Sequence, residues 1–165
     1  MTDLMVWGDG WKVAIEAKYT EVTTSYETVG KWNAEQTANR RDVAAHWLKM
    51  IAPYSQAELD EQLVSDVSYQ FLHRTASACY ESPQQAYVVY QVFYDVNTQS
   101  KMHEFIDVLR RNVDALQPKQ NLRFALNTIE ITGQDQSASK EDVLQVMKEK
   151  DVYSFGASDL QWLDQ

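Results

Sequence analysis

The sequence predicts one α/β (α+β) domain across residues 1–165. Residues 4–19 alternate between apolar and polar side chains around a central Asp-Gly, as a β-hairpin does. Residues 86–95 are β-branched and aromatic without a break, as expected of a strand covered on both sides. Between and after these segments, apolar residues recur at helical spacing. A chain of 165 residues is long enough to bury one core of this kind.

The predicted hairpin has Asp9-Gly10 as its two-residue turn, which in a type I′ turn needs a positive φ at both positions. Gly8 then pairs with Trp11, and the numbers of paired residues sum to 19. A four-residue loop keeps this pairing, whereas a three-residue loop shifts it by one residue. The alternating apolar side chains are Leu4, Val6, Val13 and Ile15.

The remaining elements follow from spacing and from helix start and stop signals. A helix is predicted over Asp42–Ile51, stopped by Pro53, and a second from Ser55 to about Cys79, with Ser55 and Glu58 as a capping box. A third runs over Met102–Leu116 and closes before Pro118, and a fourth covers Lys140–Lys150, capped by Ser137 or Ser139. Leu122–Thr132 reads as a strand, and the tail from Val152 shows only a weak pattern.

The composition excludes several classes of protein. No apolar run approaches the roughly 20 residues that a membrane span requires, and no signal peptide is visible. Cys79 is the only cysteine, which excludes an internal disulfide and a cysteine-rich zinc site. These features predict a cytoplasmic protein without a membrane partner. The net charge of −9 opposes DNA binding at long range, although basic residues cluster at positions 40–41, 73–74 and 110–111.

The candidate site lies on the hairpin. Glu16 and Lys18 are two residues apart in a strand, so their side chains leave the same face. The predicted register sets Asp3 directly opposite Glu16, whereas a three-residue loop would oppose it to Ile15. Two facing carboxylates repel each other unless a divalent cation such as Mg²⁺ lies between them, and a lysine beside the cation suits phosphodiester hydrolysis.

This arrangement resembles the PD-(D/E)XK superfamily of restriction-endonuclease-like nucleases. The string IEAKYTE, residues 15–21, is similar to restriction endonucleases of that superfamily, and YQFLHR, residues 69–74, resembles their later helix with a glutamine and a basic residue. The resemblance implies a restriction-endonuclease-like mixed sheet flanked by helices, a DNA substrate, Mg²⁺ or Mn²⁺ as cofactor, and a possible homodimer. It assigns metal binding to Asp3 and Glu16, catalysis to Lys18 with both acids, and supporting roles to Gln70, Arg74 and Glu21.

Three departures from the superfamily keep other interpretations open. Thr2 stands where the motif name has proline, the helix and strand that usually precede the aspartate are missing before Asp3, and the chain is acidic. An inactive nuclease-like binding or assembly module is the alternative, and an acidic DNA mimic is a third. Glu16 with Lys18 could also be a solvated ion pair, and Glu21 an exposed charge at a strand end.

The other chemically active residues have structural interpretations. Asp9 is a turn residue, and Cys79 is a small buried side chain. His46 and His103 lack a partner at metal-ligand spacing, and His73 is expected to point away from the site as a surface or packed side chain.

Overall fold

A computed structural model gives the fold and describes residues 4–18, 27–34, 39–134 and 153–164. The strands are β1 (Leu4–Gly8), β2 (Trp11–Lys18), β3 (Gln85–Tyr94), β4 (Leu122–Gln134) and β5 (Tyr153–Trp162). The helices are α1 (Val29–Ala34), α2 (Arg40–Ile51), α3 (Tyr69–Cys79) and α4 (Gln99–Leu116), and a 3-10 turn covers Ala52–Tyr54. The strands form one sheet in the order β1-β2-β3-β4-β5, with parallel pairing in the middle and antiparallel pairing at both edges. The predicted mixed α/β class is confirmed.

The hairpin has the predicted register. Gly8 pairs with Trp11 and Leu4 with Ile15, so the paired numbers sum to 19. The predicted type I′ turn is wrong, because of the two turn residues only Gly10 has a positive φ, at 76°. The turn therefore needs the conformational freedom of glycine at one position, and Asp9 stays in the region open to any residue.

Helices α3 and α4 pack on the same face of the sheet. Phe71 of α3 stacks on Tyr90 of β3 with ring centroids 6.1 Å apart, and Phe105 of α4 meets the same tyrosine ring at 5.9 Å. Both helices therefore cover the same side of β3. The prediction that residues 86–95 are covered on both sides is wrong for the described chain, since their alternate side chains, Val89 among them, are only half-buried.

The helix predicted from Ser55 begins fourteen residues later, at Tyr69. The buried Ser55 hydroxyl donates a hydrogen bond to the Leu116 carbonyl at 2.7 Å and accepts one from the Ala57 amide at 3.0 Å. Those bonds hold the residue beside the end of α4 in an extended conformation. The Ser55 side chain therefore forms a tertiary hydrogen bond instead of the helix N-cap that the local sequence predicts.

The C-terminal tail is a strand. β5 pairs antiparallel with β4 and forms the second edge of the sheet, with register shifts near Ile131. The sequence pattern from Val152 is too weak to reveal it, because an edge strand needs no continuous apolar run. The predicted helix Lys140–Lys150 lies outside the described residues.

Candidate active site

The site forms where β2 packs against α3. Three alternate residues of β2, at positions 14, 16 and 18, are buried on the face toward the helices. Ala14 is fully buried, and its small side chain lets α3 approach the strand closely. Gln70 and Arg74 lie four residues apart on α3, and each reaches a residue of β2.

The Glu16 carboxylate lies between two cations. Lys18 Nζ is 2.8 Å from Glu16 Oε1, and Arg74 Nε pairs with Glu16 Oε2. Lys18 Nζ also donates a hydrogen bond to Gln70 Oε1 at 3.2 Å. The side chains of Glu16, Lys18 and Arg74 are only 4%, 8% and 6% exposed, so this is a buried ionic cluster rather than a surface pair.

Counted over the described residues alone, the cluster carries one surplus positive charge. Glu16 contributes one negative charge, and Lys18 and Arg74 contribute two positive charges. A buried charge without a counter-charge is costly, so the site favours an additional anion close to these three residues. The protein as a whole has a net charge of −9, and the local charge is therefore opposite in sign to the overall charge.

His73 supports the arginine. Arg74 Nη1 lies 2.8 Å from His73 Nδ1, and the imidazole packs on Trp47 with ring centroids 4.9 Å apart. Burial first, and the Arg74 charge second, lower the pKa of His73 to about 4. A neutral imidazole at neutral pH can accept the hydrogen bond from the guanidinium. The expectation that His73 points away from the site is therefore wrong, although it is a packed residue as predicted.

An aromatic stack continues from Trp47 away from the site. The Trp32 ring lies between Trp47, at 5.3 Å, and Tyr69, at 5.5 Å. Arg40 lies over the Trp32 ring at 5.2 Å and donates to its backbone carbonyl at 2.9 Å. These residues come from three helices, so no local pattern in the sequence reveals their contact. They fix α1 and α2 against the helix that carries Gln70 and Arg74.

A family model for a domain of unknown function (DUF6946) matches residues 1–135, which is most of the chain. The chain belongs to the DUF6946 family. The match contains β2, α3 and the ionic cluster, whereas β5 lies beyond it. No curated protein and no solved structure matches the chain significantly.

Four of the six predicted site residues come together. Glu16 and Lys18 on β2 contact Arg74 and Gln70 on α3, and these four lie within the matched region. The other two, Asp3 and Glu21, lie outside the described residues.

The described part of the chain supplies one carboxylate to the site, that of Glu16. No group of three or more histidine, cysteine, aspartate or glutamate residues suited to a metal ion occurs among the described residues. Both Glu16 oxygens already contact cationic side chains. Mg²⁺ is commonly bound through one or two carboxylates, and Asp3 is the residue that the sequence assigns as the second.

The remaining candidates lie apart from the cluster. Arg110 is half exposed on α4 with Asp107 3.8 Å away, and Arg41 is exposed. His46 and His103 are exposed. Burial raises the pKa of the Cys79 thiol to about 12, in agreement with a structural role. Within the described ranges, no helix is long and apolar enough to cross a membrane.

Proposed function

We propose that this domain is an endonuclease that hydrolyses DNA phosphodiester bonds with Mg²⁺ or Mn²⁺, in the manner of the PD-(D/E)XK nucleases it resembles. The observation that carries the proposal is the convergence of Glu16 and Lys18 with Arg74, which is 58 residues from Glu16. The resemblance assigns functions to these residues, and their burial as one contacting group is what such functions require.

The charge of the proposed site supports a phosphate as the ligand, because Asp3 and Glu16 would balance Lys18 and Arg74, and a bound divalent cation would add two positive charges. A phosphodiester carries one negative charge and hydrogen-bond acceptors that suit lysine and arginine. Lys18 Nζ would donate to a phosphate oxygen or to the attacking water. Arg74, held by His73 on its other side, would keep the Glu16 carboxylate in place.

Asp3 and Glu16 are the proposed ligands of the cation. The sequence places Asp3 opposite Glu16 if the paired residue numbers of the hairpin sum to 19. The pairs from Leu4 to Gly8 have this register. When bound, the cation would act as a Lewis acid and lower the pKa of the attacking water. Glu16 Oε1 would then face the cation, and Lys18 would turn from this oxygen toward the substrate.

A cleavage assay on the full chain tests the proposal. Supercoiled plasmid and linear DNA are incubated with Mg²⁺, Mn²⁺ or EDTA, using the wild-type protein and Lys18→Met. Lys101→Met is the matched control, because Lys101 lies on the exposed side of α4 in an ion pair with Glu104. We expect cleavage with either metal, none in EDTA, and a loss of roughly 100-fold or more in Lys18→Met, the size of effect seen for single transition-state contacts. Equal cleavage in EDTA would overturn the proposal.

An inactive binding or assembly module is the second candidate. One observation favours it: Lys18 and Arg74 each contact one oxygen of the Glu16 carboxylate, so this carboxylate has charged partners without a metal. Isothermal titration with Mg²⁺ and Mn²⁺ distinguishes the two. No heat of binding together with no cleavage supports the module, and metal binding supports the nuclease.

Two further expectations accompany the nuclease proposal. By resemblance, a homodimer would supply two sites to cut both strands, and sedimentation equilibrium tests it. The predicted cytoplasmic location can be tested by cell fractionation.

A further inference from the structure

A cavity lies along the seam between β2 and α3, at the turn end of the hairpin and apart from the ionic cluster. Its volume is about 720 Å³, within the usual range of about 300–1,000 Å³ for small-molecule sites. Its walls come from β1, the start of β2, the end of α3 and residues 81–84. Nothing in the proposed hydrolysis uses this space.

Three exposed aromatic side chains border the cavity, and two of them are more than half exposed. Trp7 is 70% exposed on β1, and Tyr80 is 51% exposed directly after α3. Lys12 pairs with Trp7 in the hairpin, so the two side chains lie on the same face. Large aromatic surfaces left in water beside a cavity are typical of ligand sites rather than of solvated surface.

Polar side chains also line the cavity. Lys12 Nζ lies 4.7 Å from the centre of the Tyr80 ring, donates to the Tyr80 carbonyl at 3.2 Å and is 3.4 Å from a Glu81 carboxylate oxygen. Gln84 packs against Gly10, where a Cβ would lie 3.1 Å from its Oε1 atom. The cavity thus combines aromatic rings with an amide, which has both donors and acceptors.

We propose that this cavity binds a nucleobase of the DNA strand that is cleaved at Glu16 and Lys18, an inference that rests on the proposed nuclease function. A nucleobase offers a flat face to Trp7 or Tyr80 and a hydrogen-bonding edge to Gln84. Stacking is independent of charge, so it provides affinity that a protein with a net charge of −9 cannot obtain from phosphate contacts alone.

The geometry of β2 links the two sites. Lys12 and Glu16 are four residues apart on one face of the strand, about 13 Å at a rise of roughly 3.3 Å per residue. A DNA strand spans this distance in a few nucleotides, since stacked nucleotides rise about 3.4 Å each. A base paired within a duplex must leave its stack to enter such a cavity, so the bound strand is single-stranded or has one base flipped out near the cleaved bond.

Binding measured in EDTA tests the proposal without depending on cleavage. The probe is a short single-stranded oligodeoxynucleotide containing the fluorescent base 2-aminopurine, and an oligomer of abasic nucleotides is its matched counterpart. Trp7→Ala removes one aromatic wall, and Trp7→Phe keeps an aromatic ring there. Trp162→Ala is the protein control, because Trp162 is a partly exposed tryptophan on β5 at the opposite edge of the sheet.

We expect Trp7→Ala to weaken binding of the base-containing oligomer by about 5- to 100-fold, the range for loss of one stacked base. Trp7→Phe should retain most of the affinity, Trp162→Ala should retain it fully, and the abasic oligomer should bind every variant equally poorly. Thermal unfolding checks that Trp7→Ala keeps its fold, as its 70% exposure leads us to expect. Equal affinities of Trp7→Ala and wild type would overturn the inference.

The two proposals fail in different ways. Binding that depends on Trp7 but is accompanied by no metal-dependent cleavage supports the base site and contradicts the nuclease. Cleavage that depends on Lys18, with binding unaffected by Trp7→Ala, supports the nuclease and overturns the base site.

Discussion

The charge balance of the buried cluster predicts that substitutions of Glu16 and Lys18 differ sharply in their effect on stability. Glu16→Gln leaves Lys18 and Arg74 buried side by side without an anion between them. Breaking a buried ion pair from one side costs about 3–5 kcal/mol, because an uncompensated charge remains. Domains are commonly stable by about 5–15 kcal/mol, so this variant should lose a large part of its free energy of unfolding.

Lys18→Met should have a small effect. It leaves the Glu16–Arg74 pair with no net charge, and methionine fills much of the space of the lysine stem. Gln70 Oε1 loses one hydrogen bond, but Gln70 is half-buried and water can reach it, so this loss costs about 1 kcal/mol or less. Removal of a buried charge without a counter-charge offsets that loss.

Urea unfolding followed by tryptophan fluorescence and circular dichroism measures both variants. With a slope of about 2 kcal/mol per molar urea, a difference of about 3 kcal/mol moves the midpoint by about 1.5 M. We therefore expect a midpoint for Glu16→Gln well below that of wild type and a midpoint for Lys18→Met close to it. Equal drops in the two variants would refute the charge argument, as would a Glu16→Gln variant as stable as wild type.

This asymmetry decides which variant can test catalysis. The sequence alone suggests Glu16→Ala and Lys18→Ala as equivalent tests of a nuclease whose fold stays intact. Burial of the cluster separates them, because loss of activity in a Glu16 variant cannot be distinguished from loss of folded protein. Lys18→Met removes the proposed catalytic amine while leaving a neutral ion pair behind.

Four other outcomes follow from the structure. Inorganic phosphate added with Mg²⁺ should raise the melting temperature of wild type more than that of Lys18→Met, since only the former has the Lys18 charge; equal shifts would argue against an anion site at Lys18. The pKa of His73 is lowered to about 4 in the folded protein, so as the pH falls the unfolded chain binds a proton at His73 before the folded chain does. The free energy of unfolding should therefore fall as the pH drops from about 6.5 to about 4. His73→Asn should flatten this part of the plot of urea midpoint against pH, and parallel plots for the two proteins would contradict the prediction. Cys79 should react with a thiol reagent only after unfolding, because burial raises its pKa to about 12; rapid labelling of the native protein would show otherwise. Gly30→Ala should cost about 1 kcal/mol in urea unfolding, because its Cβ would lie 3.1 Å from the Ser65 backbone oxygen and this contact outweighs the gain in helix propensity; a raised midpoint would contradict this.

Elements fixed by local chemistry are the ones that the sequence predicts well. The Asp9-Gly10 turn sets the hairpin register, and helical spacing with a closing Pro118 locates α4 to within a few residues. Elements fixed by distant partners are missed. Ser55 carries a good local helix signal that its hydrogen bond to Leu116 overrides, and β5 exists because β4 offers it a free edge.

For the candidate site, too, the sequence predicts the local arrangement of residues but not the contacts between distant segments. Spacing alone places Glu16 beside Lys18 on a strand and Gln70 beside Arg74 on a helix. Their meeting across more than fifty residues is a property of the tertiary fold, and only the family resemblance anticipates it. The contact between Arg74 and His73 was missed because adjacent residues on a helix usually diverge.

The orientation of the hairpin is the strongest argument that the cluster has a function. Alternation alone would turn the apolar face of the hairpin inward, yet Leu4 is 53% and Val6 is 39% exposed, while Glu16 and Lys18 are buried under α3. A fold selected only for stability would gain from the opposite arrangement, because apolar burial is favourable and burial of ions is not. Native proteins commonly depart from the burial of apolar and exposure of polar residues at functional sites. The stability that such a site loses is retained elsewhere in the fold, and selection for function maintains the departure. In this domain, the departure coincides with the four residues whose chemistry suits phosphodiester hydrolysis.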